Sequence, residues 1–161
     1  MKRRIYALFL LILAICLCAC GNEEKAPQPE PSQTENAEPV YYEGHGIKME
    51  IPAIWQDTFV SYYKEMGEGE SAYTLLEFMT RVREDETGVM TIASFTEESW
   101  QQALKLVPDA EDMKIGTSKD GKTHYTIRFD ETKFDKKADQ EKFDAIVAAA
   151  KEYSKTIEII E

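Results

Sequence analysis

The sequence predicts an α+β fold: an antiparallel β-sheet of about six strands covered by two or three helices. Three observations carry this. Stretches whose apolar residues recur at every second position are separated by turn chemistry of hairpin length. Two stretches switch to helical spacing, one inserted among the strands and one near the C-terminus. No regular alternation of strand and helix argues for a parallel, doubly wound sheet, so the natural arrangement is an antiparallel sheet with helices laid on it.

The chain opens with a segment that is not part of this fold. Lys2, Arg3 and Arg4 are followed by thirteen uncharged residues, Ile5 to Leu17, all apolar apart from the Tyr6 hydroxyl. A basic start before a short apolar stretch is the pattern of a secretory signal peptide. It is shorter than the roughly 20 residues that a spanning helix needs. The run ends in Leu17-Cys18-Ala19-Cys20, which resembles the lipobox of bacterial lipoproteins: a Leu three residues before the cysteine and a small residue just before it. Cys18 stands where that family more often has Ala, Ser or Thr. The resemblance implies cleavage between Ala19 and Cys20, a diacylglyceryl group on the Cys20 sulfur, and a mature protein held on the outer face of the bacterial cytoplasmic membrane. Two acyl chains suffice for stable anchoring where one does not.

That reading changes the chemistry of the rest. All three cysteines lie at or before position 20, so a mature chain beginning at Cys20 has no thiol left for a disulfide and must stand on its own core. Cleavage removes three of the 19 basic residues and none of the 30 acidic ones, taking the net charge from −11 to −14. Such a balance speaks against nucleic acid as a partner, because duplex phosphates are bound by clustered Lys and Arg. It also speaks against broad contact with an anionic membrane surface. The membrane contact expected is the lipid on Cys20.

From position 20 to 40 the composition reads as a tether. Pro27, Pro29, Pro31 and Pro39 are interspersed with Glu, Gln and Asn, and the stretch holds no aromatic residue. Such a stretch lacks the apolar area that would offset its ordering entropy. It would reach about 25 Å as a coil and about 60 Å as polyproline II.

A single α+β domain is expected over 41–161, a usual domain size. Ile47, Met49 and Ile51 alternate as in a half-buried strand, which Pro52 ends because it has no N–H to donate. Trp55 follows in the turn. Thr58 to Tyr63 is β-prone, and Gly67-Glu68-Gly69-Glu70 reads as a loop. From Ala72 to Val82, Leu76, Phe78 and Val82 share one strand face, and Tyr73, Leu75 and Met79 the other. A turn over 84–88 leads to a strand from Val89 to Phe95. Thr96-Glu97-Glu98-Ser99 then places a hydroxyl cap before two carboxylates, which suit a helix N-terminus. Trp100, Ala103, Leu104 and Val107 follow at helical spacing, and Pro108 stops the helix.

Met113 to Ser118 is a short strand, and Asp120-Gly121 is a hairpin signal. Beyond it Thr123, Tyr125, Ile127 and Phe129 alternate with His124, Thr126 and Arg128. After a polar loop, 130–137, Phe143, Ile146, Val147, Ala150 and Tyr153 form a helical stripe. For residues 156–161 periodicity leaves helix and strand open.

The strand carrying Ile51-Pro52 with Trp55, and the strand 90–95 running straight into Thr96-Glu97-Glu98-Ser99-Trp100, resemble small uncharacterised lipoproteins of Gram-positive bacteria. Their domains are similar in turn to the PsbP-like sandwich. The resemblance implies that fold over Tyr41 to about Tyr153 and brings no catalytic residue with it.

Candidate functional residues are few. Trp55 and Trp100 could stack on a ligand, but a Trp after a strand-ending Pro and another on a helix's apolar stripe suit the ends of a core. In the doublets Tyr41-Tyr42 and Tyr62-Tyr63 one ring of each pair must face away from the core, so Tyr62 and Tyr63 are ligand-contact candidates. The two histidines, His45 and His124, lie far apart with no accompanying ligand pattern, so no metal site is expected. The acidic stretches 109–112 and 130–139 lack calcium-loop spacing. Neither a nucleophile elbow nor a phosphate loop is present, and no catalytic residue or cofactor is assigned.

The function expected is a membrane-anchored, extracytoplasmic, non-enzymatic binding module for an envelope protein or a small ligand, presented to the sheet or to the loops around Tyr62 and Gly67. The alternatives are an enzyme of unrecognised class built from residues such as Arg81 and Arg128, and an acidic calcium-responsive domain.

Overall fold

A computed structural model describes residues 38–160. The expected signal segment, the cleavage site at Ala19 and Cys20, and nearly all of the Pro/Glu-rich stretch lie outside these residues.

The first two strands, β1 (Val40–Gly44) and β2 (Ile47–Ile51), form a hairpin around His45 and Gly46, which have φ of 50° and 79°. Positive φ at both central residues gives a two-residue turn whose twist matches that of the strands. Glycine tolerates that conformation freely, and histidine is among the few other residues enriched in it. Ile47, Met49 and Ile51 point inward and are buried. After buried Pro52 a single 3-10 turn, Ala53–Trp55, brings the Trp55 indole into the interior, where it stacks on Phe59 with centroids 6.0 Å apart.

The strands that follow are β3 (Val60–Met66), β4 (Tyr73–Arg81) and β5 (Glu86–Thr96). Helix α1 (Glu97–Leu106) comes next, then β6 (Lys114–Thr117), β7 (Thr123–Phe129), helix α2 (Lys137–Tyr153) and β8 (Glu158–Ile159). The strands make two antiparallel sheets among the described residues, one of order β1-β2-β8 and one of order β3-β4-β5-β7-β6. The expectation of about six strands in one sheet is therefore corrected to eight strands in two. The polar, tyrosine-bearing β1 shows little alternation. The two-residue β8 is too short to show any; after a 3-10 turn over Ser154–Thr156 it takes Ile159 into a strand, with Ile157 and Ile160 flanking it. The α+β class stands, with two α-helices among the described residues.

Several boundaries also move. β3 runs to Met66 rather than ending at Tyr63, and β5 begins at Glu86, inside the stretch read as a turn. Phe78 pairs with Met90 and Met79 with Gly88, so Val89 is an extra residue in β5. Such a bulge bends the strand and breaks the alternation. Val89 and Met90 are accordingly both buried, although they are sequence neighbours.

The core lies on one face of the five-stranded sheet. In register across β4, β5 and β7 stand Leu76, Ile92 and Ile127, then Phe78, Met90 and Phe129. Against these pack Phe143, Ile146, Val147 and Ala150 of α2 together with Ile47, Met49 and Ile51 of β2. The Trp55 Nε1 donates to the carbonyl of Ile146 at 3.4 Å, so this interior indole is not left with an unsatisfied donor. Both α2 and the small sheet are used to cover this face.

Candidate functional site

The opposite face of the five-stranded sheet is built from the alternate residues of the same strands. Three rows lie in register: Tyr73, Phe95 and His124; Leu75, Ala93 and Thr126; Glu77, Thr91 and Arg128. The first row is covered by α1. Its N-terminus is set by Thr96, whose Oγ1 accepts from the Ser99 N–H at 3.2 Å, so the chain passes from β5 into the helix without a linker.

Contacts at the start of the helix hold it on the sheet. Glu97 Oε2 meets His124 Nε2 at 2.6 Å. Trp100 stacks on His124 with centroids 5.4 Å apart, leans against Phe95 at 5.9 Å, and carries Lys114 Nζ 5.2 Å from its ring centroid. The Glu97 carboxyl is held below the usual carboxylate range, first by the hydrogen bond with His124 and next by that from Gln101.

The rest of the face is not covered. Between the end of α1 and the second row lies a groove of about 500 Å3, lined by Tyr73, Leu75, Ala93, Phe95, Ala103, Leu106, Val107 and Met113, with Glu77, Thr91, Thr126 and Arg128 around its polar side. Ala93 is the small residue at the centre of the floor, between Leu75 and Thr126. Leu106, at the end of α1, is 79% exposed and forms the lip. Glu77 is neutralised by Lys64 Nζ at 2.5 Å, whereas Arg128 has no ion pair or hydrogen bond from its side chain among the described residues. Mostly apolar walls with a few polar groups at one side are what small-molecule sites present.

A second depression, of about 430 Å3, lies between the β1–β2 turn and one end of the core-side face, with His45, Tyr63, Glu65, Thr74, Ser94 and Thr123 in its lining. Its hydroxyls are partly committed, since Thr74 and Ser94 bond each other.

The structure does not bring the four aromatic candidates together. Trp55 is 1% exposed in the core and Trp100, on α1, is 2% exposed between the helix and the sheet, so neither presents an open indole. Tyr62 and Tyr63 both remain accessible but point to opposite faces of β3. The Tyr62 hydroxyl donates to Glu86 Oε2 at 2.6 Å, which raises its pKa, and the Tyr63 ring stacks on His45 at 3.8 Å. Tyr41 is exposed, with Lys48 over its ring, while Tyr42 packs edge-on against Phe78. Arg81 pairs with Glu86 at 3.5 Å. Gly67 holds the loop after β3 at φ +70°, where a Cβ would lie 2.5 Å from the Ser71 carbonyl oxygen. Among the described residues no three His, Cys, Asp or Glu side chains are grouped as a metal site requires.

Of the groove residues, the sequence singles out Arg128 alone, as part of an alternative enzyme site with Arg81; Leu75, Ala93, Leu106 and Met113 are not marked as a site. The signal was present in part: β4 carries apolar residues on both faces, more than one buried face uses. Comparison with known proteins adds no analogy, since no family model, curated protein or solved structure matches the chain.

Proposed function

We propose that this protein is a lipoprotein anchored through Cys20 on the outer face of the bacterial cytoplasmic membrane, carrying a PsbP-like sandwich that acts as a non-enzymatic binding module. Its ligand site is the groove between α1 and the outer sheet face. The anchor is supported by the basic start, the short apolar run and the Leu17-Cys18-Ala19-Cys20 sequence. The observation that carries the binding role is the groove itself. The fold spends a helix on this face yet leaves Leu106 exposed and Leu75 and Phe95 only half-buried around an open apolar cleft. Exposed apolar surface gathered into a concavity, rather than scattered singly, marks an interaction site.

Site-specific photocrosslinking in intact cells tests this. A photoreactive amino acid in place of Leu106 is expected to give a discrete adduct, and the same group in place of Glu141, on the exposed side of α2, is not. Equal labelling from both positions, or none from Leu106, removes the groove from the function. For the anchor, Cys20→Ser is expected to release the protein or leave its precursor uncleaved. Unchanged processing with retained palmitate labelling sinks it.

A further inference from the structure

The chemistry of the groove names a ligand class, an inference that rests on reading the groove as a binding site. The floor is a trough, because Ala93 lies between the larger Leu75 and Thr126 in one row across three strands. Its upper wall is hydrocarbon and thioether, supplied by Leu106, Val107 and Met113. A volume of about 500 Å3 falls within the range of small-molecule sites. The polar side is asymmetric. Glu77 is already matched by Lys64, while Arg128, two strands away in the same row, presents a guanidinium with no ion pair among the described residues. A free guanidinium offers two parallel N–H donors at the spacing of a carboxylate's oxygens.

We infer that the groove binds a single unbranched acyl chain ending in a carboxylate, the chain lying over Leu75 and Ala93 against Leu106 and the carboxylate resting on Arg128. The apolar chain supplies most of the affinity and the guanidinium reads the head group. No bond is made or broken.

The test uses the full-length protein in its own membrane, photolysed with a long-chain carboxylate that carries a diazirine near its methyl end. Mass mapping is expected to place the label on α1 around Leu106 or on Met113. Unlabelled carboxylates should compete, with potency rising roughly fourfold per added methylene until the trough is full. Arg128→Gln, at an exposed position, should weaken competition by carboxylates about tenfold or more and leave competition by the alcohols of equal length unchanged. Ala93→Trp should remove the label by filling the floor, with its circular dichroism and melting showing that the fold is kept.

Labelling of the groove that is indifferent to Arg128→Gln, or competed better by a lysophosphatidate than by the carboxylate, overturns the carboxylate inference while leaving the groove a binding site. A label confined to other surfaces overturns both.

Discussion

The two faces of the five-stranded sheet are made by alternate residues of the same strands, yet they have different fates. On the inner face Leu76, Phe78, Met90, Ile92 and Tyr125 are each less than 5% exposed and are covered by α2 and the small sheet. On the outer face α1 covers one row, and in the next row Leu75 and Ala93 line an open groove. Hydrophobic residues on one face of an antiparallel sheet are sufficient to make a core. The second set is surplus to folding, and this is the physical ground for assigning it to binding.

Substitutions that separate the faces should break or sharpen this contrast. The largest effect is expected from Phe78→Ala, which empties a site at 0% exposure and should cost about 3–5 kcal/mol in urea unfolding. Leu75→Ala, three residues earlier on the same strand but facing the groove, should cost less than half of that. Equal losses would mean that the outer face is as much a core as the inner one.

Next in size is the helix N-cap. Thr96→Ala removes the acceptor for the Ser99 N–H and should cost about 1 kcal/mol. The loss should be seen first as faster amide exchange in α1, with α2 unaffected.

A smaller, pH-dependent effect is expected at the Glu97–His124 contact. Hydrogen bonding holds the Glu97 pKa below its unfolded value, so the contact contributes fully above that unfolded value. Its contribution is lost as pH falls through the lower, folded one. Amide protection in α1 should therefore weaken at acid pH, below about 4, more than protection in β5, and Glu97→Gln should abolish the difference. A profile that Glu97→Gln leaves unchanged would show that this carboxylate does not hold the helix.

The least effect is expected from Tyr62→Phe. It removes a hydrogen bond between two accessible side chains and should change the urea midpoint little.

Much of this fold was legible in the sequence wherever the signal was local. The stripe Phe143, Ile146, Val147 and Ala150 is the buried face of α2, Thr96 caps α1, and Asp120-Gly121 turns β6 into β7, with Gly121 at φ 79°. What was hidden depends on partners distant in sequence. His45-Gly46 makes a tight hairpin turn without the Asn or Asp that usually announces one. The bulge at Val89 follows from its pairing with β4. The division into two sheets depends on which strands find each other, and periodicity does not encode that. The groove was hidden for the same reason. Leu75, Ala93 and Arg128 become one surface only through the β4-β5-β7 register, and Trp100 of α1 is stacked on the sheet by His124, which stands 24 residues further along the chain.

The β1–β2 hairpin has a mechanical consequence. Among the described residues β1 is an edge strand, paired on one side only, and its first residue, Val40, is opposite Ile51 at the open end of the hairpin. A pull arriving from the N-terminal side is therefore applied at that open end and loads the rungs one after another, as in opening a zipper, instead of shearing all five together. Tyr42, wedged against Phe78 and Phe59, is the tooth at which the opening should pause. β2 remains held on its other side by β8, near the closed end. The hairpin thus works as a yielding element in series with the domain, and tension can be absorbed by β1 before it reaches the strands that carry the groove.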